Sequence, residues 1–233
     1  MWQRGKITVV GLGPGRAGLI TRETWERLEG ARRLLLRTAI HPTVATLRER
    51  GIRFETYDGL YERAESFDAL YRAIADDLVR RVESGEELVY AVPGSPFVAE
   101  RTVMLLRGLS RERGVDIEIL PAMSFVEAMY GAVGIDPVDG LAILDAEDIE
   151  RLPDEPGMAL LVTQIYDRRT ASDAKLMLME RYPDDCAVIY LHHLALPDAS
   201  VRRIPLYELD RQPDIDHLTC LFVPQMGAKQ NFS

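Results

Sequence analysis

Cysteine is scarce in this 233-residue chain: Cys186 and Cys220 are the only two, with no CxxC pair and no histidine at ligand spacing. That argues against a disulfide framework and a zinc site, so no metal centre is expected, and a reducing cytoplasm is the compartment that fits. Long hydrophobic runs are missing too. None approaches the roughly 20 apolar residues that a membrane helix needs. The N-terminal stretch around Arg4 and Lys6 is short and interrupted by glycine, unlike a signal peptide. Positive charge falls short: 28 Lys and Arg against 37 Asp and Glu leave a net charge of −9, which argues against nucleic acid and anionic membranes as partners. No internal repeat and no low-complexity tract stands out. With 47% hydrophobic residues, the length suffices for one large domain or two smaller ones.

What is present is an alternation of short apolar runs with helical spacings. Residues 7–10 read as a strand, and Thr21 as the cap of a following helix with Glu23 in its first turn. Strands are expected at 33–36, 52–57, 88–92 and 115–120. Helices are expected after His41-Pro42 up to Gly51, over 66–83 and over 97–109. The 66–83 helix places Phe67, Leu70, Tyr71, Ile74, Leu78 and Val82 on one face. This βα rhythm predicts a parallel, doubly wound sheet over residues 1–120. Ligands on such sheets sit at the carboxyl ends of the strands. The loops "GLGPG" (11–15), "PGSP" (93–96) and "PAMSF" (121–125) fall there. Residues 121–233 form a second α/β domain with a mixed sheet. Its strands are expected at 141–144, 158–163, 187–191, 201–204 and 219–223, and its main helix over 170–181.

The glycine-rich loop satisfies the bare dinucleotide pattern, as "GPGRAG" over 13–18, but its context does not. No acid lies between 34 and 42 to hold a ribose, and Pro14 removes one N–H donor. No Gly-Lys-Ser/Thr follows, which excludes a P-loop. Taken alone, the loop is a tight turn of the kind any α/β protein uses.

Three segments in this order, "VVGLGPG", "LVYAVPGSPFVAERT" and "ILPAMSFVEAMYGAVGI", together with "YDRRTASDAKLMLMERYPDD" and the final "LTCLFVP", carry a more specific signal. The chain resembles the tetrapyrrole (corrin/porphyrin) methylases, which are class III S-adenosylmethionine-dependent methyltransferases. It is most similar to the methylase-like domain that precedes a MazG-type nucleotide pyrophosphohydrolase domain in bacterial fusion proteins. The resemblance implies two α/β domains with an interdomain cleft that holds S-adenosylmethionine, a small-molecule methyl acceptor such as a tetrapyrrole, and a homodimer. By position it assigns Gly94, Ser95, Phe97, Val98, Ser124, Phe125, Gln164, Ile165, Leu218 and Thr219 to the cofactor. It sets Gly11, Leu12, Gly13, Pro14 and Gly15 beside the acceptor, where glycines clear room rather than cradle a phosphate. The family usually carries Gly-Asp-Pro where this chain has Gly94-Ser95-Pro96, so a cofactor-side carboxylate is lost. That departure keeps a second reading open, a non-catalytic or regulatory module serving an attached nucleotide hydrolase.

No residue stands out as catalytic. Methyl transfer from a sulfonium asks the protein mainly for orientation and a dry pocket. His41 reads as an exposed turn residue. Strand alternation puts one of His192 and His193 inside and the other outside. His217 precedes the last strand, and Tyr90 and Tyr166 flank loops. Glu23, Glu26 and Glu29, interleaved with arginines, read as a solvated, salt-bridged helix face rather than a magnesium site. Arg37, Arg63, Arg168 and Arg169 could meet a carboxylate-rich acceptor but read as surface. Met123, Phe125, Met129 and Tyr130 offer apolar surface for a dimer. The closing "GAKQNFS" reads as a linker into a further domain.

Overall fold

The computed structural model describes residues 5–61, 63–153 and 157–226; Arg4 and the closing "GAKQNFS" lie outside the described residues. Two compact units divide between Phe125 and Val126. The first runs β1 (Lys6–Gly11), α1 (Arg22–Gly30), β2 (Leu34–Leu36), α2 (Thr43–Glu49), β3 (Glu55–Thr56), α3 (Asp58–Tyr61), α4 (Phe67–Glu83), β4 (Leu88–Val92), α5 (Arg101–Arg113) and β5 (Asp116–Ile119). Its sheet has the order β3-β2-β4-β1-β5, and every pairing is parallel. All carboxyl ends therefore open on one edge.

Local chemistry explains these elements. Thr21 accepts a hydrogen bond from the Thr24 amide at 3.1 Å and starts α1, while Ser66 accepts from Ala69 and starts α4. Leu70, Ile74, Leu78 and Val82 of α4 are buried against β1 and β4 residues such as Ile7 and Tyr90. Each fully buried leucine or isoleucine contributes about 1.5–3 kcal/mol relative to exposure. Phe67 departs from the expected face: it is 68% exposed and stacks on Tyr71. It is the first helical residue, where the apolar stripe has not yet met the sheet. The strand expected at 52–57 shrinks to two residues, because β3 is an exposed edge with only β2 to pair with. The helix expected over 97–109 starts four residues later. Ala99 takes a positive φ of 51°, which is incompatible with helix, and Glu100 occupies the cap position.

The second unit contains α6 (Phe125–Val133, entered from the first unit), β6 (Leu141–Asp145), β7 (Ala159–Thr163), α7 (Arg168–Met179), β8 (Ala187–His192), β9 (Ser200–Pro205) and β10 (Thr219–Val223). Its sheet, ordered β6-β7-β10-β8-β9, is mixed: β6 and β7 are parallel and the rest antiparallel. Asp167 accepts from the Thr170 amide at 2.7 Å and starts α7. Ala171, Ala174 and Leu178 then pack with Leu160, Tyr190 and Leu221. Among the described residues, no helix is long and apolar enough to cross a membrane.

Candidate functional site

In the first unit the three special loops meet at Gly11. A Cβ there would stand 2.3 Å from the Gly94 carbonyl oxygen, 2.6 Å from Ala122 Cβ and 2.9 Å from Pro96 Cδ. No other residue allows that approach. Two residues on, the loops are stitched together: the Gly13 amide donates to the Gly94 carbonyl at 3.1 Å, and the Gly94 amide donates back to Gly13 at 2.9 Å. Gly94 is a different case. Its φ is +65°, and nothing lies within 4 Å of where its Cβ would be, so the backbone borders open space. Ser95 is buried, and its Oγ accepts from the Phe97 amide at 3.3 Å. Phe97 is exposed, Val98 and Phe125 are half-buried, and Ser124 is buried. In the glycine loop, Leu12 sits fully in the core, and Pro14 alone among residues 11–15 is not buried.

Beside these loops lies a buried polar cluster that the sequence did not announce. Arg37, directly after β2, pairs with Glu100 at 3.2 Å; their side chains are 20% and 2% exposed. Arg37 is thus not a surface arginine. Arg37 Nε, Glu100 Oε1 and the Tyr90 hydroxyl are buried without a hydrogen-bond partner. Burial holds the Glu100 carboxyl above its ordinary range, with Arg37 pulling the other way. Burial disfavours the Arg37 cation, but Glu100 and the neighbouring Tyr61, Tyr90 and Tyr71 together outweigh it and raise its pKa. His41 is half-buried rather than an exposed turn residue. Burial pushes it down to about 4, against a hydrogen bond to the Gly13 backbone, and the Arg37 charge adds to the drop. The 37–41 segment is pinned by Asp58, which accepts from the Thr38 hydroxyl and from the Ala39 amide at 2.9 Å.

The second unit brings together its own share of the expected residues. Gln164, at the end of β7, adopts a positive φ of 61°, a strained conformation for a non-glycine residue. The next amide, Ile165, donates to the Thr219 carbonyl at 3.3 Å, although the Ile165 side chain is core. Thr219 is buried and Leu218 is 41% exposed. The two histidines do not alternate. β8 ends at His192, and His193 turns into a positive φ of 54°. Their rings therefore stack on the same side at 3.7 Å, facing Asp216. His217 is exposed.

Other expectations resolve simply. Glu26 pairs with Arg22 and Glu29 with Arg50, a salt-bridged helix face. Arg63 donates to the Gly59 carbonyl, Arg169 pairs with Asp173, and Arg168 is exposed. Tyr166 is exposed and donates to Glu147. Met129 is fully buried and offers no surface, whereas Met123 is 37% exposed.

The chain is 37% identical over 226 residues to YabN of Bacillus subtilis (strain 168), covering 97% of this chain and 46% of that protein. It is 22% identical over 196 residues to cobalt-factor III methyltransferase of Priestia megaterium, covering 78% of this chain and 35% of that one. The chain thus spans less than half the length of these curated relatives. Among solved structures, uroporphyrin-III-C-methyltransferase from Thermus thermophilus shares the fold with a TM-score of 0.73 and 21% identity, over 95% of this chain and 93% of that chain. The model of tetrapyrrole (corrin/porphyrin) methylases matches residues 6–210, which takes in all three loops of the first unit and the β7 end of the second. The chain belongs to the tetrapyrrole (corrin/porphyrin) methylase family.

Proposed function

We propose that this chain binds S-adenosylmethionine and acts as a methyltransferase of the tetrapyrrole type on a small-molecule acceptor. The observation that carries the reading is the family match over residues 6–210, together with the open, left-handed Gly94 at the carboxyl edge of the parallel sheet. The residues present fit such a cofactor. A glycine with open space at its Cβ position admits a ligand close to the backbone. When bound, S-adenosylmethionine supplies a methyl group on a sulfonium leaving group.

The first unit's share of binding falls to Gly94, Ser95, Phe97, Val98, Ser124 and Phe125. The second unit's falls to the strained Gln164 with Ile165, and to Leu218 and Thr219 on the adenine side. The Gly11–Gly15 loop flanks the acceptor. These groups hold and orient the reactants and exclude water, which is most of what an in-line displacement needs from a protein. Arg37 does not serve as a carboxylate clamp, because Glu100 already neutralises it.

The Ser95 geometry favours a second reading. Its Oγ closes its own loop onto Phe97 instead of presenting a carboxylate. On that reading the chain is a binding or regulatory module attached to a MazG-type pyrophosphohydrolase domain. Either version functions as a homodimer in the cytoplasm. Calorimetric titration with S-adenosylmethionine tests the proposal: the parent binds and Gly94→Val does not. Absence of binding by the folded parent overturns both versions. Binding without methyl transfer to any offered tetrapyrrole, restored by Ser95→Asp, supports the module.

A further inference from the structure

The second unit contains a group of side chains that the methylase reading leaves unused. Behind the end of β8, His192 and His193 stack face to face with ring centres 3.7 Å apart and planes 17° from parallel. Both present Nε2 to the carboxylate of Asp216, His193 at 2.8 Å and His192 at 3.4 Å. Both present Nδ1 to a different aspartate, His193 to Asp198 at 2.6 Å and His192 to Asp214 at 3.7 Å. One nitrogen from each histidine and one oxygen of Asp216 lie within 4.8 Å of one another.

Hydrogen bonding accounts for only half of this arrangement. His193 is satisfied on both nitrogens. His192 is 8% exposed, and its buried Nε2, aimed at Asp216, makes no hydrogen bond. A buried imidazole nitrogen without a partner is costly, and such groups call for a specific explanation. Asp216 is itself held in place: its Oδ1 accepts from the Leu218 amide at 2.8 Å, and its own amide donates to Thr219 Oγ1 at 3.0 Å.

We propose that His192 Nε2, His193 Nε2 and the Asp216 carboxylate form a binding site for a divalent transition-metal ion such as zinc or cobalt. Bonds of about 2.0–2.2 Å to nitrogen and oxygen put tetrahedral ligand atoms roughly 3.3 Å apart. The two rings, now 17° from parallel, must rotate out of their stack for the in-plane lone pairs of both Nε2 atoms to converge on one ion. The cation takes the free Nε2 lone pair of His192, which ends its isolation. It also replaces the His193–Asp216 contact, while His193 Nδ1–H keeps donating to Asp198. A ligating histidine whose second nitrogen donates to a carboxylate is the usual outer-shell arrangement of metal sites. Two imidazoles with one carboxylate suit zinc, cobalt, nickel or ferrous iron better than magnesium or calcium, which prefer all-oxygen shells. Three protein ligands also leave a coordination position open. The metal site needs no cofactor, although Asp216 is hydrogen-bonded to Leu218 and Thr219, the residues given to the adenine side of the proposed methyltransferase.

The experiment uses the whole chain without an affinity tag, stripped with a chelator and titrated with cobalt(II). Visible d–d absorption reports the ligand set, and zinc displaces the cobalt. One equivalent binds saturably, and millimolar magnesium does not compete. His193→Ala and Asp216→Asn each lose the spectrum while circular dichroism stays that of the parent. Asp198→Asn, outside the ligand set, weakens binding about 10- to 100-fold. The proposal is overturned if the folded parent binds no cobalt or zinc saturably. It is equally overturned if His193→Ala binds as well as the parent, if magnesium displaces cobalt, or if loss follows His217→Ala instead, which marks an adventitious surface histidine.

Discussion

Two glycines of the first unit make opposite predictions under the same substitution, and the contrast separates packing from ligand binding. At Gly11 an added Cβ meets a backbone oxygen at 2.3 Å, a Cβ at 2.6 Å and a proline ring at 2.9 Å. None of these is the far end of a flexible side chain, so the 11–15 and 93–96 loops must part. Overpacking of this kind costs about 1–3 kcal/mol and more where backbone is the obstacle, so Gly11→Ala is expected at or above ~3 kcal/mol. For a chain of this size that corresponds to a Tm lower by roughly 6–12 °C. At Gly94 the added Cβ meets nothing within 4 Å, and only the left-handed φ of +65° opposes it. That strain is about 1–2 kcal/mol. Gly94→Ala therefore stays folded with a small loss. Under the proposed function it nevertheless loses affinity for S-adenosylmethionine, because the new methyl occupies the space the backbone left open. Hydrogen–deuterium exchange read separately on the β1 and β4 amides gives the local stabilities, and calorimetry gives the affinities. A Gly11→Ala variant within ~0.5 kcal/mol of the parent would show that the loops do not meet as described. A Gly94→Ala variant that binds the cofactor like the parent would remove Gly94 from the site.

Two further outcomes follow from the buried cluster. Glu100→Gln leaves the Arg37 guanidinium without its counter-charge. Breaking a buried pair costs about 3–5 kcal/mol, and the 20% exposure of Arg37 places the expected loss toward the lower end. The double variant Arg37→Met/Glu100→Leu recovers most of it, and a double-mutant cycle showing less than ~0.5 kcal/mol of coupling would refute the pairing. His41 gives a pH signature. Its native pKa of about 4 lies below the ordinary 6.5, so the unfolded chain binds more protons between these values. The stability it contributes is present above pH 6.5 and is lost as the pH falls toward 4, by at most ~3 kcal/mol at 1.36 kcal/mol per unit. His41→Gln flattens that limb of a urea-denaturation series, and an unchanged acid slope would count against the buried imidazole.

The sequence by itself determined most of the strand and helix order, because period-two and 3.6-residue patterns, a cap such as Thr21, and glycine stops are local signals. The five strands of the second unit fall within a residue or two of where the patterns put them. The family, too, was legible, since it is carried by contiguous loop motifs such as 11–15 and 93–96. Tertiary structure decided what depends on residues distant in the chain. Arg37 reads as surface until Glu100, brought beside it by the adjacency of β2 and β4, makes it half of a buried pair. His41 reads as an exposed turn until the fold buries it within hydrogen-bond reach of the Gly13 backbone. His192 and His193 read as opposite faces of a strand, because alternation holds only while the strand continues. The left-handed turn at His193 ends it and swings both rings toward Asp216, 24 residues beyond His192, where no spacing rule could have joined them.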